Sequence, residues 1–168
     1  VHDHLSSNLC IDADVGDKAS TDAAFTAADH VVRFETWIRR VTGVPMEPRA
    51  AIAIYEPNTD RYTIFAGGGG SVRQKRENAG VLGVDFDKVR IVARDVGGNF
   101  GTRNSFYPEF ALTAWASRRL RKPVKWTCER TEAFTSDYQG RDLFVKAELA
   151  LDKEGNFLGL RGTNLSNV

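Results

Sequence analysis

VRIVARDVGGNFGTRNSFYPEFALTAWASRRLRK, residues 89–122, decides how the rest of the chain is read. An apolar run suited to a strand, 87–96 in all, meets three glycines set around an Asn-Phe pair, and a segment with helical spacing follows. Phe106, Phe110 and Ala114, and the pair Ala111 and Trp115, recur at i, i+4 up to about Leu120. Asn104 or Ser105 can cap this helix, the basic cluster 118–122 suits its negative pole, and Pro123 stops it. A plain reversal needs one or two residues of positive φ. So much unconstrained backbone predicts that something approaches the main chain closely.

Working outward, AGGGGS (66–71) repeats the pattern. It too joins a strand to a helix, here SVRQKRENAGVLG, with Ser71 as cap and Val72, Arg76, Ala79 and Leu82 at helical spacing. Before it, AAIAIYEPNTDRYTIFAG (50–67) is two apolar runs around Pro57-Asn58-Thr59-Asp60, which predicts a β-hairpin. HVVRFETWIRRV, from His30, alternates Val32, Phe34, Thr36 and Ile38 with charged neighbours and predicts a half-buried strand. PVKWTCERTEAF and DLFVKAELALD read as strands, and KEGN turns the second into FLGLRGTNL. Residues 1–29 read as a polar lead-in with a short helix at 20–28 capped by Ser20 or Thr21. The order predicts an α+β fold: a mixed sheet with hairpins and two main helices, one domain over 1–168 with its core in 30–168. Trp37, Trp115 and Trp126 are expected in that core.

The formal net charge of +1 provides no broad field for nucleic acid. Cys10 and Cys128 do not form a disulfide framework, and no apolar stretch approaches a membrane span. The expected location is the cytoplasm. The chain lacks an initial Met and stops just after a strand-like run, so a fragment is expected. His2, His4 and His30 have no ligand spacing with a cysteine, so no directly ligated metal is expected. Glu47, in a buried-looking turn beside Arg49, Glu109 in a first helical turn and Glu129 in a strand beside Arg130 all read as structural.

Both glycine loops sit where a strand ends and a helix begins, a place where exposed amides bind anions or polar oxygens. Neither matches G-x-x-x-x-G-K-[ST] or G-x-G-x-x-G. On pattern alone, two tight turns packed on a sheet explain them as well.

GVPMEPRAA (43–51), RDVGGNFGTRN (94–104) with the following YPEFALTAWASRRLRKPVKW, and ERTEAFTSDYQGRDLFVKAELALDKEGNFLGLRG (129–162) follow one another in a telling order. In that order and spacing they resemble the molybdenum-binding large subunit of the xanthine dehydrogenase, aldehyde oxidase and carbon monoxide dehydrogenase family. The resemblance implies a piece of a larger molybdopterin-binding domain whose molybdenum–pterin, as a cytosine dinucleotide, oxidises a small molecule. Electrons then leave through iron–sulfur clusters and FAD on partner subunits or domains. Partners are the rest of the large subunit and those subunits, in an oligomer.

By the same resemblance Gly68, Gly69, Gly70, Gly97, Gly98, Asn99, Phe100 and Gly101 line the cofactor, with Gly97 and Gly98 bare so that it can approach. Arg141 reaches the substrate pocket. Two positions depart from the pattern. Gly69 stands where many members carry a Gln that bonds a molybdenum oxo ligand, leaving that contact absent or made by a backbone amide. Asn104 stands where purine oxidisers carry a Glu, so xanthine is not the expected substrate. The family's general base lies beyond residue 168. The competing reading is a standalone, non-enzymatic module that binds a ligand or partner through the two glycine loops.

Overall fold

The computed structural model describes residues 6–167; His2 and His4 lie outside them. In chain order its elements are α1 (Lys18–Ala27), β1 (His30–Ile38), β2 (Val41–Thr42), β3 (Ala50–Glu56), β4 (Arg61–Ala66), α2 (Ser71–Leu82), a 3₁₀ turn (Phe86–Lys88) and β5 (Val89–Val92). There follow α3 (Pro108–Leu120), β6 (Val124–Thr127), α4 (Arg130–Ser136), β7 (Gln139–Gly140), β8 (Leu143–Leu151) and β9 (Phe157–Ser166). The fold is α+β as expected. The chain packs as two units: Arg40–Arg141, and the segment up to Arg39 together with that from Asp142 on. The divisions thus fall after Arg39 and Arg141, whereas the sequence reading was one domain over 1–168 with a lead-in up to residue 29. The reason is that β1 pairs with β8 and not with its chain neighbours.

In the 40–141 unit a four-stranded sheet has the order β5-β4-β3-β6. The predicted hairpin is β3 and β4, with Ala51 opposite Ala66 and Ala53 opposite Ile64. β5 lies parallel to β4, reached through α2. Alternation decides the buried face: Ala51, Ala53, Tyr62, Ile64 and Val89 are all at most 2% exposed, with Phe110 and Ala114 of α3 and Ala79 of α2 packed on them. Alanines along β3 let α3 approach closely. Ser117 of α3 fits there because its hydroxyl accepts from the Tyr55 amide at 3.0 Å and donates to the Lys122 carbonyl at 2.7 Å. A buried hydroxyl needs such partners.

The other unit is a three-stranded antiparallel sheet, β1-β8-β9, with α1 against β9. Along its strands Arg33, Glu148 and Arg161 stand directly opposite one another, and Glu148 accepts from Arg33 Nε at 2.7 Å and Arg161 Nε at 2.6 Å.

Several expectations are corrected. Asp17, not Ser20 or Thr21, caps α1, its carboxylate accepting from the Ser20 amide at 3.0 Å. Ser71 is the first residue of α2 and the cap is Gly70, with no side-chain bond. α3 starts at Pro108, whose fixed φ and missing N–H suit a first helical position, so the cap falls on Tyr107, not Asn104 or Ser105. PVKWTCERTEAF is not one strand: β6 ends at Thr127 and α4 begins at Arg130. Glu129 caps it in a reciprocal capping box with Glu132, which masks the helix in a β-like stretch of sequence. Trp37 and Trp115 are 62% and 54% exposed; of the three tryptophans Trp126 packs on the core.

Candidate cofactor site

Three segments of the 40–141 unit converge: the turn 43–49, the first glycine loop 67–70 and the second, 97–104. The turn is held by guanidinium groups acting on its main chain. Arg130 donates to the carbonyls of Pro45 at 2.9 Å and Met46 at 2.6 Å, and Arg103 donates to that of Glu47. Arg49, 1% exposed, turns inward: Nε lies 3.2 Å from Asp137, Nη2 bonds the Ser136 hydroxyl at 2.6 Å, and the guanidinium stacks 4.0 Å from the Tyr107 ring centre. Burial works against its charge, but Cys128, Glu109 and Asp137 outweigh that and push its pKa upward. Burial is also what pulls Arg103 down and pushes the Cys128 thiol and Tyr107 phenol up. The Tyr107 hydroxyl donates to the Thr102 carbonyl at 2.7 Å and accepts from the Tyr138 amide at 3.1 Å, fixing the far end of the second loop.

Glu47 is exposed, not buried, and its partner is the second glycine loop. Its carboxylate accepts from the Gly97 amide at 2.7 Å and its own amide donates to the Gly97 carbonyl at 3.1 Å. A Cβ on Gly97 would lie 2.5 Å from Glu47 Cβ. What approaches Gly97 is therefore the 45–47 turn of the same chain. Gly98, at φ +113, would bring a Cβ to 2.9 Å from the Phe100 ring and 3.1 Å from Pro45.

The two loops are also tied to each other. The Gly69 amide donates to the Arg103 carbonyl at 3.1 Å, so it is engaged within the fold. A Cβ on Gly69 would lie 1.7 Å from Asn104 Oδ1 and 2.3 Å from Asn99 Nδ2, and one on Gly68 only 2.0 Å from Gln74 Nε2. Side-chain amides from elsewhere fill the space that side chains at 68 and 69 would take. Gln74 is 1% exposed and neither atom of its carboxamide has a partner among the described residues. Gly70 has nothing within 4 Å of a would-be Cβ.

Beyond this scaffold the second loop projects outward. Phe100 is 74% exposed at φ +51, followed by Gly101 at φ +89. Among the described residues the amides of Gly98, Asn99 and Phe100 take no hydrogen bond. Gly43 abuts Phe100 Cβ, and the short ribbon of β2 and β7, which pairs Val41 with Gly140, carries Arg141 next in sequence. Arg141 is exposed at φ +74 and does not pair with Asp137, whose carboxylate goes to Arg49. Non-glycine residues at positive φ are costly unless the surroundings impose them, and here Val44, Phe100 and Arg141 all share that conformation.

The fit to an oxygen-rich, electronegative group is good: unengaged amides at 98–100, small residues at 69 and 70, an uncapped α2 N-terminus, and rigid bracing behind. Sequence reasoning named the two loops and Arg141. It missed Gln74, Arg103, Asp137 and Arg130, although the Arg-x-Glu pattern of 130–132 was itself the signal for Arg130. A surface depression of about 360 Å³ lies in the other unit on the Arg33–Glu148–Arg161 ladder, where the charges already pair. Among the described residues no cluster of His, Cys, Asp and Glu could hold a metal ion, and no helix is long and apolar enough to cross a membrane.

Residues 1–168 match the family described as the molybdopterin cofactor-binding domain. The chain is 40% identical over 141 residues to the 6-hydroxypseudooxynicotine dehydrogenase complex subunit gamma of Paenarthrobacter nicotinovorans, covering 83% of this chain and 18% of that one. It is 34% identical to the carbon monoxide dehydrogenase large chain of Hydrogenophaga pseudoflava, covering 87% and 18%. Among solved structures, the carbon monoxide dehydrogenase of Oligotropha carboxidovorans superposes with a TM-score of 0.83 at 28% identity, over 89% of this chain and 19% of that one. The chain thus spans 18% of the length of each of these two curated relatives.

Proposed function

Because the chain belongs to the molybdopterin cofactor-binding family, we propose that it forms one wall of the molybdenum–pterin site in the large subunit of a molybdenum hydroxylase. When bound, the cofactor supplies the two-electron chemistry by which a water-derived oxygen enters a carbon–hydrogen bond or carbon monoxide is oxidised. This chain's part is positional. The amides of Gly98, Asn99 and Phe100 face the cofactor's electronegative ligands, with Gly101 allowing the turn and Gly68, Gly69 and Gly70 keeping the opposing loop low. Gly97 serves indirectly by docking on Glu47. Preorganised main-chain donors stabilise developing negative charge without reorganising. Arg141 holds a substrate oxygen, and Asn104 stands on the substrate side.

The observation that carries this reading is the row of unengaged amides on a loop whose neighbours, Gly97 and Gly101, are each internally bonded. A backbone held on both sides and left unbonded in the middle is built to meet something. The general base is supplied from outside residues 1–168. The complete enzyme oxidises an aldehyde, a heterocycle or carbon monoxide, carries the cofactor as a cytosine dinucleotide, passes electrons to iron–sulfur and FAD partners and works as a cytoplasmic oligomer. Names of relatives as a dehydrogenase complex subunit and a large chain support the partner subunits. Metal and pterin analysis of the full-length natural protein tests the reading: molybdenum and pterin in equal amounts with the polypeptide support it. Their absence from protein isolated with its partner subunits would falsify it and favour a ligand-binding module.

A further inference from the structure

Asn99 and Asn104 form a hydrogen-bond relay whose direction is set by the backbone. The Gly101 amide is a donor and nothing else, and it bonds Asn99 Oδ1 at 3.0 Å. That fixes the Asn99 carboxamide, so its Nδ2 faces Asn104 and donates to Oδ1 at 2.9 Å. Asn104 is thereby fixed in turn, and its own NH2 is left without a partner among the described residues, on an exposed residue at the junction of the two glycine loops. The relay has room only because residue 69 is glycine: both carboxamides occupy the volume that any side chain there would need. A free asparagine is indifferent, able to donate or accept. Asn104 is not free, so it presents donors only.

Resting on the function proposed above, the geometry points to Gly69, Asn99 and Asn104 as a specificity device that selects a substrate bearing a hydrogen-bond acceptor, such as a carbonyl or lactam oxygen, and rejects one that offers only N–H. Asn104 makes the contact and Asn99 is a positioning residue that sets which end of Asn104 faces out. Gly69 is the space in which they meet.

The test uses the full-length enzyme assembled with its partner subunits and two neutral ring probes, 1-methyl-2-pyridone, which only accepts, and pyrrole, which only donates. Dissociation constants are measured calorimetrically, and the readout is their ratio, so turnover is not needed. The unaltered enzyme prefers the pyridone. Asn104→Asp keeps the bond from Asn99 but turns an acceptor outward, shifting the ratio toward pyrrole by about tenfold or more. Asn99→Asp does the same from a residue that never touches the probe, because an aspartate there has no hydrogen to give and makes Asn104 swing its NH2 inward. A ratio unchanged within about twofold in both variants, or no binding of either probe to the unaltered enzyme, overturns the relay. Molybdenum and pterin content of the same samples separates the failures: normal content with an unchanged ratio defeats the relay alone, and cofactor-free enzyme defeats the proposed function.

Discussion

The two units use the same strand pattern and reach opposite outcomes. In the 40–141 unit, alternation along β4 puts Tyr62 at 1% and Ile64 at 0% exposure beneath two helices. In the three-stranded sheet, equally regular alternation along β1 leaves Val32 at 53% and Phe34 at 59%, with Leu160 of β9 on the same face at 68%. Periodicity states which side chains share a face; it does not supply what covers that face. A sheet becomes a core only when a second layer lies on it.

Substitutions break this comparison most sharply at buried charge. Arg49→Ala strands the Asp137 carboxylate, itself 1% exposed at the side chain, and is expected to cost about 3–5 kcal/mol. Arg33→Ala, at a cross-strand pair on the surface, is expected to cost less than about 1 kcal/mol. Urea titration of the chain measures both. Next in size, Phe110→Ala removes a ring that is 1% exposed and should cost about 3–5 kcal/mol. Phe34→Ala should stay within about 0.5 kcal/mol. Equal losses would show that the β1 face is buried in solution after all.

A smaller effect tests the glycines. Gly97→Ala forces its Cβ to 2.5 Å from Glu47 Cβ, an overpacked contact expected to cost about 1–3 kcal/mol. Gly70→Ala meets nothing within 4 Å at an extended φ of 173° and should be near neutral. Thermal melts of the pair decide whether internal docking or ligand access is what keeps 97 bare.

The smallest differences are in pH response, and the signs are opposite. Hydrogen bonds from Arg161 and Arg33 lower the Glu148 pKa from its ordinary 4.5. A depressed folded value contributes stability above the unfolded pKa, and that stability is lost as pH falls through the folded one. In the 40–141 unit, burial raises Cys128 from 9.0 and Tyr107 from 10.0. Their contribution is complete below those values and is lost as pH rises through the raised ones. Glu148→Gln should therefore flatten the acid limb of stability and leave the alkaline limb alone, while Cys128→Ala should soften the alkaline limb. Far-UV circular dichroism across pH reads both.

The hairpin at 50–66, both glycine loops and the bounds of α3's far end were legible because local chemistry settles them: turn residues, strand alternation, a stopping proline. The partners of Arg49, Arg103 and Arg130 were not legible. Each depends on a contact between elements distant in sequence, and an arginine in a loop looks the same whether it is solvated or braced. The neighbour of Gly97, Glu47 of the same chain, was hidden for a related reason. A glycine announces close approach, and only the packed structure tells whether the visitor is a ligand or the protein's own turn.

The three arginines that grip the 45–49 region leave one lasting mark. Arg130 and Arg103 hold carbonyls, not side chains, while Met46 stands 88% exposed above them. The path of this turn at Met46 is therefore set through main-chain carbonyls, so the side chain at 46 can be exchanged and what it touches retuned without loosening the frame underneath, of which the Glu47 and Arg49 side chains are themselves part.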